Sequence, residues 1–236
     1  MKKIFIIFGI WLGFSACDSV LSTMETVNKN LGPSNTEIIA GLKEALTKGI
    51  QTGVSKLSVK DGFWGNPAIR IPMPEEVKNV ESTLRTMGLG SQVDKATKAL
   101  NEGAELATKE AIDVFVTAVK TMSIQDAMGI LTGGNSAATN YLKSTTTASL
   151  TEKFRPIIAG SLDKVSATKY WGDIMSKYNL FATKKINPDL TGYVTEKAMN
   201  ALFKEVEVQE NLIRSNPAQR TTEILKKVFD YADTKK

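Results

Sequence analysis

Apolar positions recur along most of this chain at intervals of three and four. Ile38, Leu42, Ala45, Leu46, Ile50, Val54 and Leu57 form one such stripe, the pattern of a helix that buries a single face. Asn35 or Thr36 is the expected N-cap. Gly41, Gly49 and Gly53 fall inside the stripe. Each costs a helix about 1 kcal/mol against Ala, so their presence points to close contact with a neighbouring helix. Residues 58–74 break the period. Ile69, Ile71 and Met73 alternate with Arg70 and Pro72, an extended segment whose prolines bar it from the interior of a sheet. Pro74 suits the first position of the next helix. Val77, Val80, Leu84 and Met87 give that helix its stripe and Gly88 its stop.

The longest periodic stretch spans 91–122. Val93, Ala96, Leu100, Ala104, Ala107, Ala111, Phe115, Ala118 and Met122 share one face, and Ile112, Val116 and Val119 add a second near the end. Such a helix belongs at the centre of a domain. Ser123 and Asp126 have the spacing of a capping box, so a new helix begins near Ile124. Thr132 to Asn135 reads as a turn. A short helix follows from Ser136 to about Thr145, and another over 150–165 interrupted at Pro156. Residues 166–188 are less regular. Leu190, Val194, Ala198, Leu202, Leu212 and Ile213 define a further helix, and Asn216-Pro217 starts the segment that leads to a last one carrying Ile224, Leu225, Val228 and Phe229. No alternating run long enough for a strand appears. The expected fold is all-α, a single-domain multi-helix bundle with one long central helix.

The N-terminus reads differently. Met1-Lys2-Lys3 precedes an unbroken apolar run from Ile4 to Phe14. A spanning helix needs about 20 such residues, so this run has the length of a signal-peptide core. Phe14-Ser15-Ala16-Cys17 then resembles a bacterial lipobox, which implies cleavage before Cys17 and diacylglycerol on its sulfur. The expected organisation is a signal peptide over 1–16, lipidated Cys17 with a flexible tether to residue 35, one helical domain over 36–231 and a tail over 232–236. Asp18 resembles an inner-membrane retention signal of enteric bacteria. That rule does not extend to every phylum, so the choice of membrane stays open.

Composition narrows the chemistry. The chain has no His and a single Cys, which excludes Ser-His-Asp and Cys-His catalysis and any intramolecular disulfide. No metal site and no cofactor are expected. The formal charge is +5, falling to +3 once Lys2 and Lys3 leave with the signal peptide. No basic block marks a nucleic-acid surface.

Three polar groups are candidates for binding. Glu207, Glu210 and Arg214 share a face of one helix, where Arg214 is suited to a carboxylate or phosphate; as structure, the same spacing is a helix ion pair. Asp126 and Tyr141, with Thr139, bracket the Gly133-Gly134 turn between two helix N-termini that offer N–H groups to an anion. As structure, Asp126 caps its helix and Tyr141 packs in the core. Glu105, four residues beyond Asn101 on an Ala-rich helix, is either a carboxylate of raised pKa or a buried hydrogen-bonding group. Phe63, Trp64, Tyr170, Trp171 and Tyr178 either line a ligand groove or form small cores beneath loops.

Taken in order, several segments resemble a known family. They include Gly41-Leu42-Lys43-Glu44-Ala45-Leu46, Ile69 to Pro74, Leu84 to Gly90, Ser123 to Asp126 and Asn216-Pro217, with Leu225 to Phe229 near the end. The chain resembles the domain of unknown function 4197 family of bacterial envelope proteins over about residues 36–230. The resemblance implies a signal-bearing helical protein and brings no activity with it. The expected role is a non-enzymatic module of the cell envelope, facing the periplasm and held to a membrane by its N-terminal lipid. It would bind a small anionic or amphipathic molecule, or an envelope protein, between the 91–122 and 190–214 helices. The alternatives are a carboxylate-dependent hydrolase and a structural or stress-related protein without a ligand.

Overall fold

The computed structural model describes residues 32–181, 185, 187 and 189–235. The expected signal peptide, Cys17 and most of the expected tether therefore lie outside the described residues, as does the side chain of Tyr178. Among the described residues every regular element is helical: α1 (Asn35–Leu57), α2 (Lys78–Thr86), α3 (Gly90–Thr108), α4 (Ala111–Thr121), α5 (Ile124–Thr132), α6 (Ala137–Asp163), α7 (Ala167–Phe181), α8 (Leu190–Ser215) and α9 (Glu223–Asp233). A turn of 3-10 helix, Glu75–Val77, leads into α2. The all-α architecture read from the sequence is the one the chain adopts.

Local chemistry sets most boundaries. Ser34, one residue before the expected caps, starts α1 with a full capping box: its Oγ accepts from the Glu37 N–H, and its own N–H donates to the Glu37 carboxylate at 2.8 Å. Lys227 on α9 binds the same carboxylate. The Lys227 bond first, then those from Ser34, hold Glu37 at a pKa of about 2. Ser123 and Asp126 form the second capping box where the spacing placed it. The expected helix over 91–122 carries a tight turn at Lys109-Glu110 that divides it into α3 and α4. Thr108 donates back to the Ala104 carbonyl at 2.7 Å just before that turn, a bond that bends helices.

The region expected as two short helices, 136–145 and 150–165, is instead the single helix α6, at 27 residues the longest described. Pro156 removes one backbone donor, at a cost of roughly 3 kcal/mol in a helix interior. It sits on the exposed face, where the carbonyl it strands can be hydrated. On the opposite face Leu142, Leu150, Phe154, Ile158 and Leu162 are fully buried. Burial of large apolar side chains at about 1.5–3 kcal/mol each outweighs one missing bond.

α6 packs between α3 and α8, which also touch each other. α1 crosses α8 and gathers α4, α5 and α9 around it, while α7 rests on α6 and α8. The glycine positions of α1 explain how closely this is done. A Cβ on Gly41 would stand 2.8 Å from a Val228 methyl, and one on Gly53 would stand 3.3 Å from Glu205. One contiguous cluster takes in the buried hydrophobics of the described residues apart from Val93, so residues 32–235 close their own core. α2 stands apart. It packs chiefly on α3 and contributes no buried residue.

Candidate functional site

The turn between α5 and α6 carries most of the polar residues singled out from the sequence. Glu210, on α8, is buried. Its carboxylate accepts from the N–H groups of Ala138 at 3.0 Å and Thr139 at 2.9 Å, and from the Thr139 hydroxyl at 2.8 Å. These are donors of the first turn of α6, which have no partner within the helix and lie at its positive end. Arg214, one turn further along α8, closes an ion pair with Glu210 at 2.9 Å. It also donates to the carbonyls of Ile130 at 2.8 Å and Gly133 at 3.4 Å, which are orphan acceptors at the end of α5. The anion expected at this helix N-terminus is thus the protein's own. Glu207 completes the corner, accepting from the Ser136 hydroxyl at 2.5 Å and pairing with Lys204 at 2.8 Å. The Lys204 bond, then that of Ser136, lowers its pKa. Glu210 and Arg214 line a space of about 20 Å³, room for one water.

Glu105 lies elsewhere and is held just as fully. On α3 it accepts from the N–H groups of Phe63 at 3.0 Å, Asp61 at 3.2 Å and Trp64 at 3.3 Å. One turn earlier Asn101 grips Ile71 from both sides, accepting from its N–H at 2.8 Å and donating to its carbonyl at 2.9 Å. A neighbouring β-strand would make the same two bonds. Two side chains of α3 thereby fix the irregular segment 58–74 to the bundle. Phe63 is fully buried beneath it, and Arg70 stacks over Trp64.

Asp126 stays in its capping box, where the Ser123 hydroxyl and N–H lower its pKa. Tyr141 donates to the Ala118 carbonyl at 3.3 Å. Burial, then the nearby Asp126 charge, raises its pKa. Tyr141 opens onto a shallow cleft between α4 and α6 lined by hydroxyls of Thr117, Thr145 and Ser149. The structure brings Glu207, Glu210 and Arg214 together at one corner. Glu105 is bonded to the 58–74 segment and shares no cavity with them.

A different feature of the surface is open. Met73, Val77, Val80 and Leu84 form one wall of an apolar groove, Val93 and Ala96 of α3 a second, and Val165, Ala167, Tyr170, Trp171 and Leu190 close it. Its volume is about 470 Å³, within the roughly 300–1,000 Å³ of small-molecule sites. The stripe of α2 faces this space rather than the core. Periodicity reveals that Val77, Val80, Leu84 and Met87 share a face but not what lies opposite it: Val77 is buried in the core cluster, whereas Val80 is 39% exposed and Met87 69%. Two members of the aromatic group, Tyr170 and Trp171, do line the groove. Val93, buried yet outside the main core, lies in its wall.

Few polar groups reach the groove. Glu81 is held twice by Arg85, at 2.9 and 3.0 Å, and Arg85 also pairs with Asp94 at 2.7 Å. Lys95 makes no ion pair among the described residues. The Trp171 indole is only 7% exposed, and its Nε1–H has no acceptor. Thr168 Oγ1, one turn before it on α7, is likewise buried without a partner. Buried polar atoms are rarely left so. Among the described residues no three Asp, Glu or Cys side chains gather as a metal ion would require, and no single helix is long and apolar enough to cross a membrane.

A helical domain with internally bonded polar clusters and an open apolar groove is therefore what the described residues define. The chain belongs to the family described as protein of unknown function (DUF4197), whose model matches residues 32–230. No curated protein and no solved structure shows significant similarity to it.

Proposed function

We propose that this chain is a lipid-anchored module of the bacterial envelope that carries out no chemistry of its own and holds an apolar ligand in the groove between α2, α3 and α7. The observation that carries the reading is α2 itself. It is an amphipathic helix whose apolar side chains line an open groove while none is buried. A helix stripe left facing solvent is a cost unless something covers it. Against the hydrolase alternative stand the bonds of Glu105 and Glu210, whose oxygens already serve backbone N–H groups.

The geometry of the two ends supports a groove turned away from the anchor. Gly53 meets Glu205 and Gly49 meets Gln209, so α1 runs antiparallel to α8, and Gly32 lies against Tyr231 beyond the C-terminal end of α8. Leu190, at the other end of α8, is a groove residue. The rise of an α-helix separates those ends by about 38 Å. A lipid on Cys17 would hold the Gly32 end near its membrane and leave the groove facing the periplasm.

Native mass spectrometry of residues 18–236, purified gently from the periplasm, tests the reading. This form keeps every residue of the closed core. A small molecule retained by the wild type and lost from an Ala96→Phe variant, which fills the groove, is the expected result. An empty wild type would overturn the groove as a ligand site. Palmitate labelling of the full chain, abolished by Cys17→Ser, tests the anchor.

A further inference from the structure

We infer that α7 is the gate of the groove, a helix that leaves its seat by turning about Ser166 and so opens the wall it forms. The inference takes the groove from the binding reading above and adds the element that controls entry to it. It starts from two polar side chains of α7 that the seated position leaves unsatisfied. The Trp171 indole is more than nine-tenths buried, its Nε1 is sealed from solvent, and no acceptor meets it. Thr168 Oγ1, one turn earlier on the same helix, is enclosed in the same way. A buried polar group without a partner carries the full cost of its lost hydration, and native structures rarely leave one so. Here two lie within one turn of one helix, and both regain water as soon as that helix lifts.

The rest of α7 fits an element held lightly. Among its described side chains the buried apolar ones are Ala167, Trp171 and Met175, a single row at intervals of four. The neighbouring α6 buries Leu142, Leu150, Phe154, Ile158 and Leu162 completely. Elements with few buried apolar side chains sit at the low end of local stability. The junction supplies the hinge. Only Lys164, Val165 and Ser166 separate α6 from α7. Ser166 has a φ of +55°, a left-handed conformation in which a side-chain-bearing residue is strained. Rotation at that residue relieves the strain and redirects the helix, as hinges at the ends of elements do. What moves is wall: Ala167, Tyr170 and Trp171 all line the groove. Lifting α7 therefore widens the groove from the side and leaves the buried row of α6 in place.

The experiment uses residues 18–236 and the variant Thr168→Val, which puts a methyl group where the unpartnered hydroxyl stands and so removes part of the cost of the seated state. Backbone amide exchange read by mass spectrometry should be faster across α7 than across the middle of α6. Thr168→Val should slow it in α7 by about tenfold, the size of one unsatisfied buried group relieved, and leave α6 unchanged. In a Trp64→Phe background, where Trp171 is the sole tryptophan of the mature chain, acrylamide should quench the Trp171 emission despite its burial, and Thr168→Val should reduce that quenching. Unchanged or faster exchange in Thr168→Val, or a Trp171 that acrylamide does not reach, would overturn the movement. The gate is read separately, by stopped flow with the neutral dye N-phenyl-1-naphthylamine. Thr168→Val should slow its association about tenfold and its dissociation equally, so that affinity stays within about twofold, the signature of a gate rather than of a contact. An unchanged association rate beside slowed exchange would overturn α7 as the gate. A dye that the wild type does not bind, or that Ala96→Phe binds equally well, would overturn the groove as a ligand site and the gate with it, while exchange and quenching still decide the movement.

Discussion

Two regions of this molecule hold polar groups in low-dielectric surroundings, and they differ in what those groups touch. At the α5–α6 corner Glu210 and Arg214 are each more than nine-tenths buried, and both are saturated by the ends of two helices. In the groove beside α2 and α7 the buried indole N–H of Trp171 has no acceptor, and apolar side chains remain exposed. A buried ion pair draws attention as a reactive site. Here it joins one helix end to another. The Glu210–Arg214 pair is held within the chain, with Asn211 Oδ1 beside it on α8 left without a partner, whereas the groove leaves apolar side chains exposed.

The hardest test of that contrast is Glu210→Ala. It leaves Arg214 buried without its counter-charge and strands the N–H groups of Ala138 and Thr139. Removing one member of such a pair costs about 3–5 kcal/mol, a large share of the 5–15 kcal/mol that stabilises an ordinary domain. Urea denaturation should show it as a large drop in the midpoint. A variant of wild-type stability would mean that the corner is not structural and would restore Glu210 as a candidate ligand.

Asn101→Ala comes next. It leaves the N–H and C=O of Ile71 buried without partners, at about 1–3 kcal/mol for such a loss. Amide exchange at Ile71 should accelerate more than exchange in the middle of α6. The segment leads directly to Met73 in the groove wall, so ligand retention should fall as well.

Leu84→Ser should invert the pattern. Leu84 lies outside the core, so the change should alter stability by no more than about 0.5 kcal/mol. It also removes apolar wall from the groove, and ligand retention should be lost. Marked destabilisation with binding intact would reverse the roles assigned to the two regions.

The sequence made these regions legible to different degrees. The capping box of Ser123 and Asp126 could be read because every participant lies within four residues. Glu210 and Arg214 were legible as a pair for the same reason. Their other partners, Ala138 and Ile130, are more than seventy positions away, and no local spacing encodes such a meeting. Periodicity fared likewise with α2: it established which side chains share a face but not whether a core or a groove lies opposite. Pro156 misled because a local cost is visible in sequence, while the tertiary burial of Leu150, Phe154 and Ile158 that overrides it is not. Tyr170 and Trp171 stood out by residue type alone, and only the packing of α7 shows that they share a cavity with α2.

The smallest effect concerns a hydrogen bond between α8 and the 58–74 segment. Tyr193 on α8 donates its hydroxyl to the Pro72 carbonyl at 3.1 Å, tying the irregular 58–74 segment to the helix that carries Glu210. Burial, then the charges of Glu76, Glu75 and Glu196, pushes its pKa up to about 12 from an ordinary 10. The folded protein therefore holds this proton more tightly than the unfolded chain. The resulting stabilisation is complete below about pH 10 and is lost as pH rises through 12. An ultraviolet difference titration should show, beside the raised Tyr141, a late-ionising tyrosine component that disappears in Tyr193→Phe. That variant should cost about 0.5–1.5 kcal/mol at neutral pH, the range for one hydrogen bond, and its ligand affinity should fall only slightly. A loss of binding as large as that of Leu84→Ser would instead make the Tyr193–Pro72 tie part of the groove's own architecture.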